Sequence, residues 1–401
     1  MTVSLSPYPG LRPFNVDESR LFFGREEQTD ELLRRLRATR FLAVVGPSGC
    51  GKSSLVRAGM IAALQSGFLV AAGPRWRIAI MRPGEDPMGR LAAVLVDEGG
   101  LAGDGSDRES ATSALGATLR RGPLGLIEAL HEIPLPETTN LLVLVDQFEE
   151  IFRFRRKGGI DDADAFVSLL LASVEQRELP IYVVITMRSD YFGDCAAFIG
   201  LPEALNKSQY LTPRLTREQR EAAITDPARL FGGNLAPDSV NHLLNEMGTD
   251  PDQLPLMEHL LMRMWTWREP HSGSRAVLSD TSAEVVAIDD VGRTLTLADY
   301  EGVGGLRYAL SNHADEAFNR LDKRQQDVAE TLFRSLSERI QAGATFAARR
   351  GPVTSPQLLE LRWPDWWRLS MSSVQLLAAL WSPRTLSSSM RTACSTSRTR
   401  R

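Results

Sequence analysis

The segment GPSGCGKSS, residues 46–54, fits the pattern GxxxxGK[ST] and lies between an apolar run and an amphipathic stretch. That spacing suits the binding of a polyphosphate. Gly46, Gly49 and Gly51 let the backbone bend so that its N–H groups converge on phosphate oxygens, and the start of the following helix adds the positive end of its dipole. Lys52 is placed to reach the β- and γ-phosphates, and the Ser53 hydroxyl is the expected Mg²⁺ ligand, with Ser54 beside it in the contacting turn.

A second group follows in LLVLVDQFEE, residues 141–150, where an apolar run ends in Asp146 and Glu149 and Glu150 come three and four positions later. An Asp at the end of a strand beside the phosphate-loop strand holds the Mg²⁺ shell, and a neighbouring carboxylate orients or deprotonates an attacking water. The residue types alone leave open which glutamate faces the water. Arg188 ends a third apolar run, IYVVITM, and so belongs at the same sheet edge. It either senses the γ-phosphate or is a surface arginine paired with Asp190 or Asp194.

The elements that must position these residues show in the hydrophobic pattern. Leu32, Leu33 and Leu36 share a helical face before the strand run FLAVV, residues 41–45. Further buried strands are predicted at Arg77–Met81, Leu141–Val145 and Ile181–Met187, with helices at Ser53–Gln65 and Ala163–Arg177 between them. Alternating strands and helices predict a parallel sheet covered by helices on both faces, an α/β P-loop NTPase domain. Residues 97–111 and the stretch EIPLPETTN, residues 132–140, are predicted as surface loops. Beyond Tyr210 strand signals fade. Helices are predicted at Arg217–Thr225, behind a capping box of Thr216 and Gln219, then at Asp238–Met247 and Leu256–Arg268. After a polar stretch, two amphipathic segments run from Leu306 to Leu321 and from Arg324 to Ile340. His313 lies on the apolar stripe of the first, which favours a satisfied core histidine over a phosphate sensor.

Composition sets the class. With 43% apolar and 24% charged residues the 401-residue chain is ordinary for a globular protein of two or three domains. Three cysteines without metal or disulfide spacing suit a reducing compartment, and the absence of a long apolar run or a signal-like start predicts a cytoplasmic protein. The net charge of −4 hides an asymmetry: residues 341–401 hold nine Arg against Glu360 and Asp365, leaving the first 340 residues at about −11. The acidic body argues against nucleic-acid binding.

In order along the chain stand PYPGLRPFNVDESRLFFGREEQTDELLRRL, the glycine loop, LLVLVDQFEE and TMRSDYF, and together they resemble the bacterial STAND-class NTPases of the novel STAND type, often fused to β-propeller repeats. The resemblance covers about residues 7–340. It implies that the turn Phe23–Gly24–Arg25–Glu26 closes over adenine, placing Gly24 and Arg25 at the nucleotide, and that Pro255 in QLPLMEHLL contacts the base. It also implies ATP and ADP with Mg²⁺ as ligands, and an order of parts: an adenine-side arm at 1–40, the NTPase domain at 41–212, a helical domain at 213–300 and the start of a winged helix at 301–345. Residues 346–401 depart from that pattern and are expected to be a divergent or out-of-frame basic tail. The function expected on this basis is a slowly hydrolysing signalling switch that self-associates in its ATP state. A nucleic-acid-remodelling ATPase and a nucleotide-holding scaffold are the alternatives.

Overall fold

In the computed structural model, the residues described are 6–68, 75–99, 101, 107–248, 253–267, 292–323, 325–326 and 329. They fall into two compact units, the first built on residues 13–232 and the second on residues 8–12, 233–248 and those from 255 onward.

In the first unit a 3₁₀ turn (Val16–Leu21) leads into α1 (Glu26–Thr39) and β1 (Phe41–Gly46). The helix after the glycine loop is continuous but not uniform: α2 (Lys52–Ser54) passes into a π-helical stretch (Leu55–Ile61) and ends as α3 (Ala62–Gln65). There follow β2 (Arg75–Met81), α4 (Pro87–Asp97), α5 (Arg108–Leu119), α6 (Gly125–Glu132) and β3 (Thr139–Val145). The unit continues with α7 (Glu150–Arg156), α8 (Ile160–Glu175), β4 (Ile181–Arg188), a 3₁₀ segment (Ser189–Ala197), α9 (Leu201–Lys207), β5 (Gln209–Leu211) and α10 (Arg217–Leu230).

The five strands form one sheet in the order β2-β3-β4-β1-β5, and every pairing is parallel. Because side chains alternate across a strand, each apolar run divides between two cores. Ala43, Val143, Val183 and Ile185 face the side covered by α4 to α9, while Leu42, Val44, Leu142, Leu144 and Val184 face α1 and the phosphate-loop helix. Burial on both faces explains why these strands read as unbroken apolar runs.

Three expectations change. The Asp146-bearing strand is not beside the phosphate-loop strand, because β4 lies between β1 and β3. The stretch 97–111, expected as a loop, holds the start of α5, where the Asp107 carboxylate caps the helix by accepting from Glu109 N and Ser110 N at 3.0 Å each. The expected capping box of α10 is present, with Gln219 N 3.2 Å from Thr216 Oγ1 and Thr216 N 3.0 Å from Gln219 Oε1, but the helix continues through Pro227 to Leu230.

The second unit holds β6 (Asn234–Leu235), α11 (Pro237–Glu246), α12 (Leu254–Thr266), β7 (Thr294–Leu295), α13 (Leu297–Gly302) and α14 (Gly305–Asn319). Among the described residues it is helical except for the short parallel β6–β7 pair, which the sequence pattern did not signal. Leu243, Leu260, Leu261, Met264 and Trp265 are buried in it. His313 stacks on His259 with ring centroids 5.2 Å apart, and burial lowers the pKa of both, that of His259 to about 3. Apart from 325–326 and 329, the segment Arg324–Ile340 lies outside the described residues, as does the whole tail 346–401.

Candidate functional site

Parallel pairing brings the ends of β1, β3 and β4 to one edge of the sheet. Gly46 ends β1 directly opposite Arg188 at the end of β4, and Val145, the residue before Asp146, pairs with Ile185. Between β1 and α2 the chain turns through Gly49 at φ +71° and Gly51 at φ +88°, left-handed conformations that a side chain would strain. Lys52 turns back over this loop, its Nζ donating to Gly46 O at 2.9 Å and Pro47 O at 2.6 Å. From outside the loop Arg25 braces it: Nη2 donates to Cys50 O at 3.1 Å and Nη1 to Pro213 O at 2.8 Å. Arg25 is buried, and desolvation pulls its pKa below the ordinary guanidinium value. Ser54 Oγ accepts the backbone N–H of Phe14 at 3.2 Å, joining the N-terminal arm to the same turn.

Asp146 is completely buried. Its Oδ1 accepts from Ser53 Oγ at 2.8 Å and Thr186 Oγ1 at 2.6 Å, and its Oδ2 receives Arg57 Nη2 at 2.8 Å. Thr186 holds the following turn as well, since Gln147 N donates to its Oγ1 at 3.0 Å and Phe148 N to its carbonyl at 2.8 Å. Thr186 therefore fills the gap left by the intervening β4. Neither Thr186 nor Arg57 was singled out from the sequence. Thr186 is the one polar residue in IYVVITM, a usable signal, whereas Arg57 looks like any cation on an amphipathic helix.

The two glutamates separate clearly. Glu150 Oε2 accepts the N–H of Gly84 at 2.9 Å and so ties the start of α7 to the turn after β2. Glu149 is buried, its Oε2 has no hydrogen-bond partner among the described residues, and Lys52 and Arg188 are the charges that act on it. Desolvation raises its pKa above the ordinary carboxylate value, against the opposing pull of backbone N–H donors and of those two cations. The Arg188 guanidinium forms a two-point ion pair with Asp190, Nε to Oδ1 at 3.1 Å and Nη2 to Oδ2 at 2.6 Å. That is the pairing the sequence offered as one alternative, and it keeps Arg188 at the sheet edge near Glu149.

A hydroxyl and a carboxylate oxygen 2.8 Å apart are hard oxygen donors of the kind Mg²⁺ takes. Pro255 lies in the first turn of α12, in the second unit.

A parallel α/β sheet with the glycine loop, Lys52 and the Ser53–Asp146 pair at one edge defines a nucleotide-binding P-loop NTPase. The chain belongs to the Novel STAND NTPase 1 family, whose model matches residues 7–384. That match extends beyond the motifs into the tail. No curated protein matches the chain. Among solved structures it is similar to the ORC2 protein of Aeropyrum pernix in ADPNP-ADP complexes, at 14% identity, covering 63% of each chain with a TM-score of 0.40. It is also similar to Cdc6p of Pyrobaculum aerophilum, at 15% identity over 60% of this chain and 61% of that one, TM-score 0.38. A third is closed-state Hsp104 with ATPγS and FITC casein, at 13% identity over 87% of this chain and 49% of that one, TM-score 0.41. The chain spans less than two thirds of the length of each of these three.

Gly24, beside Arg25, gives a stability test. Its φ is +79°, and a Cβ there would stand 2.4 Å from the backbone oxygen of Gln219. Gly24→Ala combines left-handed strain with overlap against a backbone atom and is expected to cost about 3 kcal/mol in urea unfolding. A cost below about 1 kcal/mol would show that the arm and α10 separate freely.

Proposed function

We propose that this chain is an ATP-binding, slowly hydrolysing switch whose ATP state favours self-association and whose ADP state releases it. The observation that carries this reading is the division of labour among acids at one sheet edge: Asp146 is fully hydrogen-bonded beside Ser53, whereas Glu149 is buried with a free carboxylate oxygen. Backbone N–H groups of residues 46–54 and the Lys52 ammonium bind the phosphates, and the turn at Gly24 closes the adenine side while Arg25 braces the loop. Ser53 Oγ and Asp146 Oδ1 would hold Mg²⁺, which when bound offsets phosphate charge.

Glu149 is the general base of this reading. Its Oε2 takes the proton of the attacking water, and burial supplies a pKa closer to working pH than an exposed glutamate has. Glu150 anchors α7. Arg188 exchanges Asp190 for the γ-phosphate, which is feasible because a partly exposed ion pair contributes only about 0–1 kcal/mol. Hydrolysis then removes the anion that holds Arg188, and the two nucleotide states differ in the contacts made at the end of β4.

Lys52→Ala is expected to weaken ATP binding by about 10–100-fold in calorimetry, the loss of one charge-assisted phosphate contact, with the unfolding midpoint little changed. Unchanged affinity would remove the phosphate-loop assignment.

Glu149→Gln is expected to keep ATP bound, slow turnover by about 10²-fold or more, and shift the chain to the larger form in light scattering with ATP and Mg²⁺. Glu150→Gln is expected to retain turnover. Equal loss in both variants would assign the base wrongly.

The sign of the pH dependence follows from the raised pKa of Glu149. The base ionises as pH rises through a value above the ordinary carboxylate range, so parent turnover falls as pH drops through it. The same shift links folding to pH: the folded state holds this proton more tightly than the unfolded one, so its contribution to stability is full at low pH and lost as pH rises through the folded pKa. Glu149→Gln should therefore lose that acid limb from its residual turnover and show less stability loss between acid and neutral pH in denaturant titrations.

A further inference from the structure

Among the described residues, one cation forms an ion pair with Asp146, and it comes from the helix rather than from the glycine loop: Arg57 Nη2 lies 2.8 Å from Oδ2, with the Arg57 side chain 17% exposed and that of Asp146 0%. The contact is made by one guanidinium nitrogen, while Arg57 Nε is buried with no hydrogen-bond partner. Arg57 stands in the π-helical stretch Leu55–Ile61, where the wider turn re-aims side chains relative to an α-helix. The two oxygens of Asp146 are thus divided, Oδ1 to the hydroxyls of Ser53 and Thr186 and Oδ2 to Arg57.

We propose that Arg57 is a resident counter-cation for Asp146 that stabilises the metal-free state and opposes Mg²⁺ entry, so that it sets the Mg²⁺ level at which nucleotide is held tightly. This rests on the reading of Ser53 and Asp146 as the metal-holding pair. A carboxylate removed from water needs a compensating positive charge, and Arg57 supplies it before any divalent ion arrives. A divalent ion held by Ser53 and Asp146 would share that carboxylate with the guanidinium, at a depth where solvent and salt would screen their repulsion weakly. The guanidinium charge that steadies the metal-free site is therefore the charge that repels an arriving cation. A purely positioning role for Arg57 has the opposite signature, because loosening Asp146 would weaken the metal.

The test is a Mg²⁺ titration of the full chain in the presence of ADP, read by calorimetry, with thermal melting in EDTA and at saturating Mg²⁺ and ADP. Arg57→Gln is expected to lower the half-saturating Mg²⁺ concentration by about tenfold, the effect of removing one like charge from a poorly screened site. Its melting temperature should fall in EDTA and approach that of the parent with Mg²⁺ and ADP bound. Arg57→Lys keeps the charge and should stay within about twofold of the parent in the Mg²⁺ titration. A half-saturating concentration that is unchanged or higher in Arg57→Gln overturns the inference, as does an equal shift in Arg57→Lys. If Arg57→Gln does not fold without metal, recovery by Mg²⁺ with ADP but not by ADP alone supports the inference, and failure under both conditions overturns it. A parent whose ADP affinity ignores Mg²⁺ would overturn the metal reading and this inference together. A Mg²⁺-dependent parent with an unaltered Gln variant would overturn this inference alone.

Discussion

A carboxylate with no exposure to water has to find its donors and its counter-charge inside the protein, and Asp146 draws them from two elements far apart in sequence, the phosphate-loop helix and β4. Ser53 comes from the start of the phosphate-loop helix, Arg57 from its π-helical stretch and Thr186 from β4. The Thr186 hydroxyl reaches the acid because β4 pairs directly with β3, standing between it and β1. The same hydroxyl accepts from Gln147 N, whose residue has a positive φ of 58°, so the turn that delivers Glu149 to the sheet edge is fixed by the group that fixes Asp146. The acid that pairs with Arg57 and the acid with an unpartnered oxygen are thereby set by one network.

The glycine loop is held from its other side by the arm. Gly59, inside the helix that follows the loop, has Thr29 Oγ1 2.5 Å and Phe22 Cε1 3.5 Å from the position a Cβ would take, so the missing side chain is what lets α1 and the arm approach. Phe14 and Phe22 pack with ring centroids 5.5 Å apart over this contact, and Phe14 N reaches Ser54. With Arg25 joined to Cys50 and Pro213, the helix is gripped between sheet and arm. Positions that read as an approach to the first helix are in this way part of the nucleotide loop's support.

Much of this was legible in the sequence, for identifiable reasons. Strands buried on both faces leave unbroken apolar runs, and the glycine loop with its Lys and Ser has few other uses, so β1 to β4, Lys52, Ser53 and Asp146 stood out. Strand order did not, because nothing local to IYVVITM says which strands it pairs with. Three-residue β5 is too short to show a period, and in α5 apolar residues are too sparse to mark a face. Glu149 and Glu150 are adjacent and chemically alike; what separates them is tertiary, the burial of Glu149 near the charges of Lys52 and Arg188 and the Gly84 N–H, 66 positions away in sequence, that holds Glu150. Arg57 was hidden because an arginine on an amphipathic helix is expected to face water, and here it lies in a π turn and pairs with the buried Asp146.

The strand order also has a consequence for how the chain is made. The first strand of this sheet in sequence, Phe41–Gly46, is an interior strand of the finished sheet, and both of its partners, Ile181–Arg188 and Gln209–Leu211, are far downstream. Until those segments leave the ribosome, a fully apolar strand has no edge to join, whereas Arg75–Met81 and Thr139–Val145 can pair with each other first. The nucleotide loop is therefore among the last parts of the first unit to be assembled, although it is among the first to be translated. Its flanking strand, buried along its whole length in the folded unit, is unpaired during that interval, the condition under which partly made chains expose apolar surface.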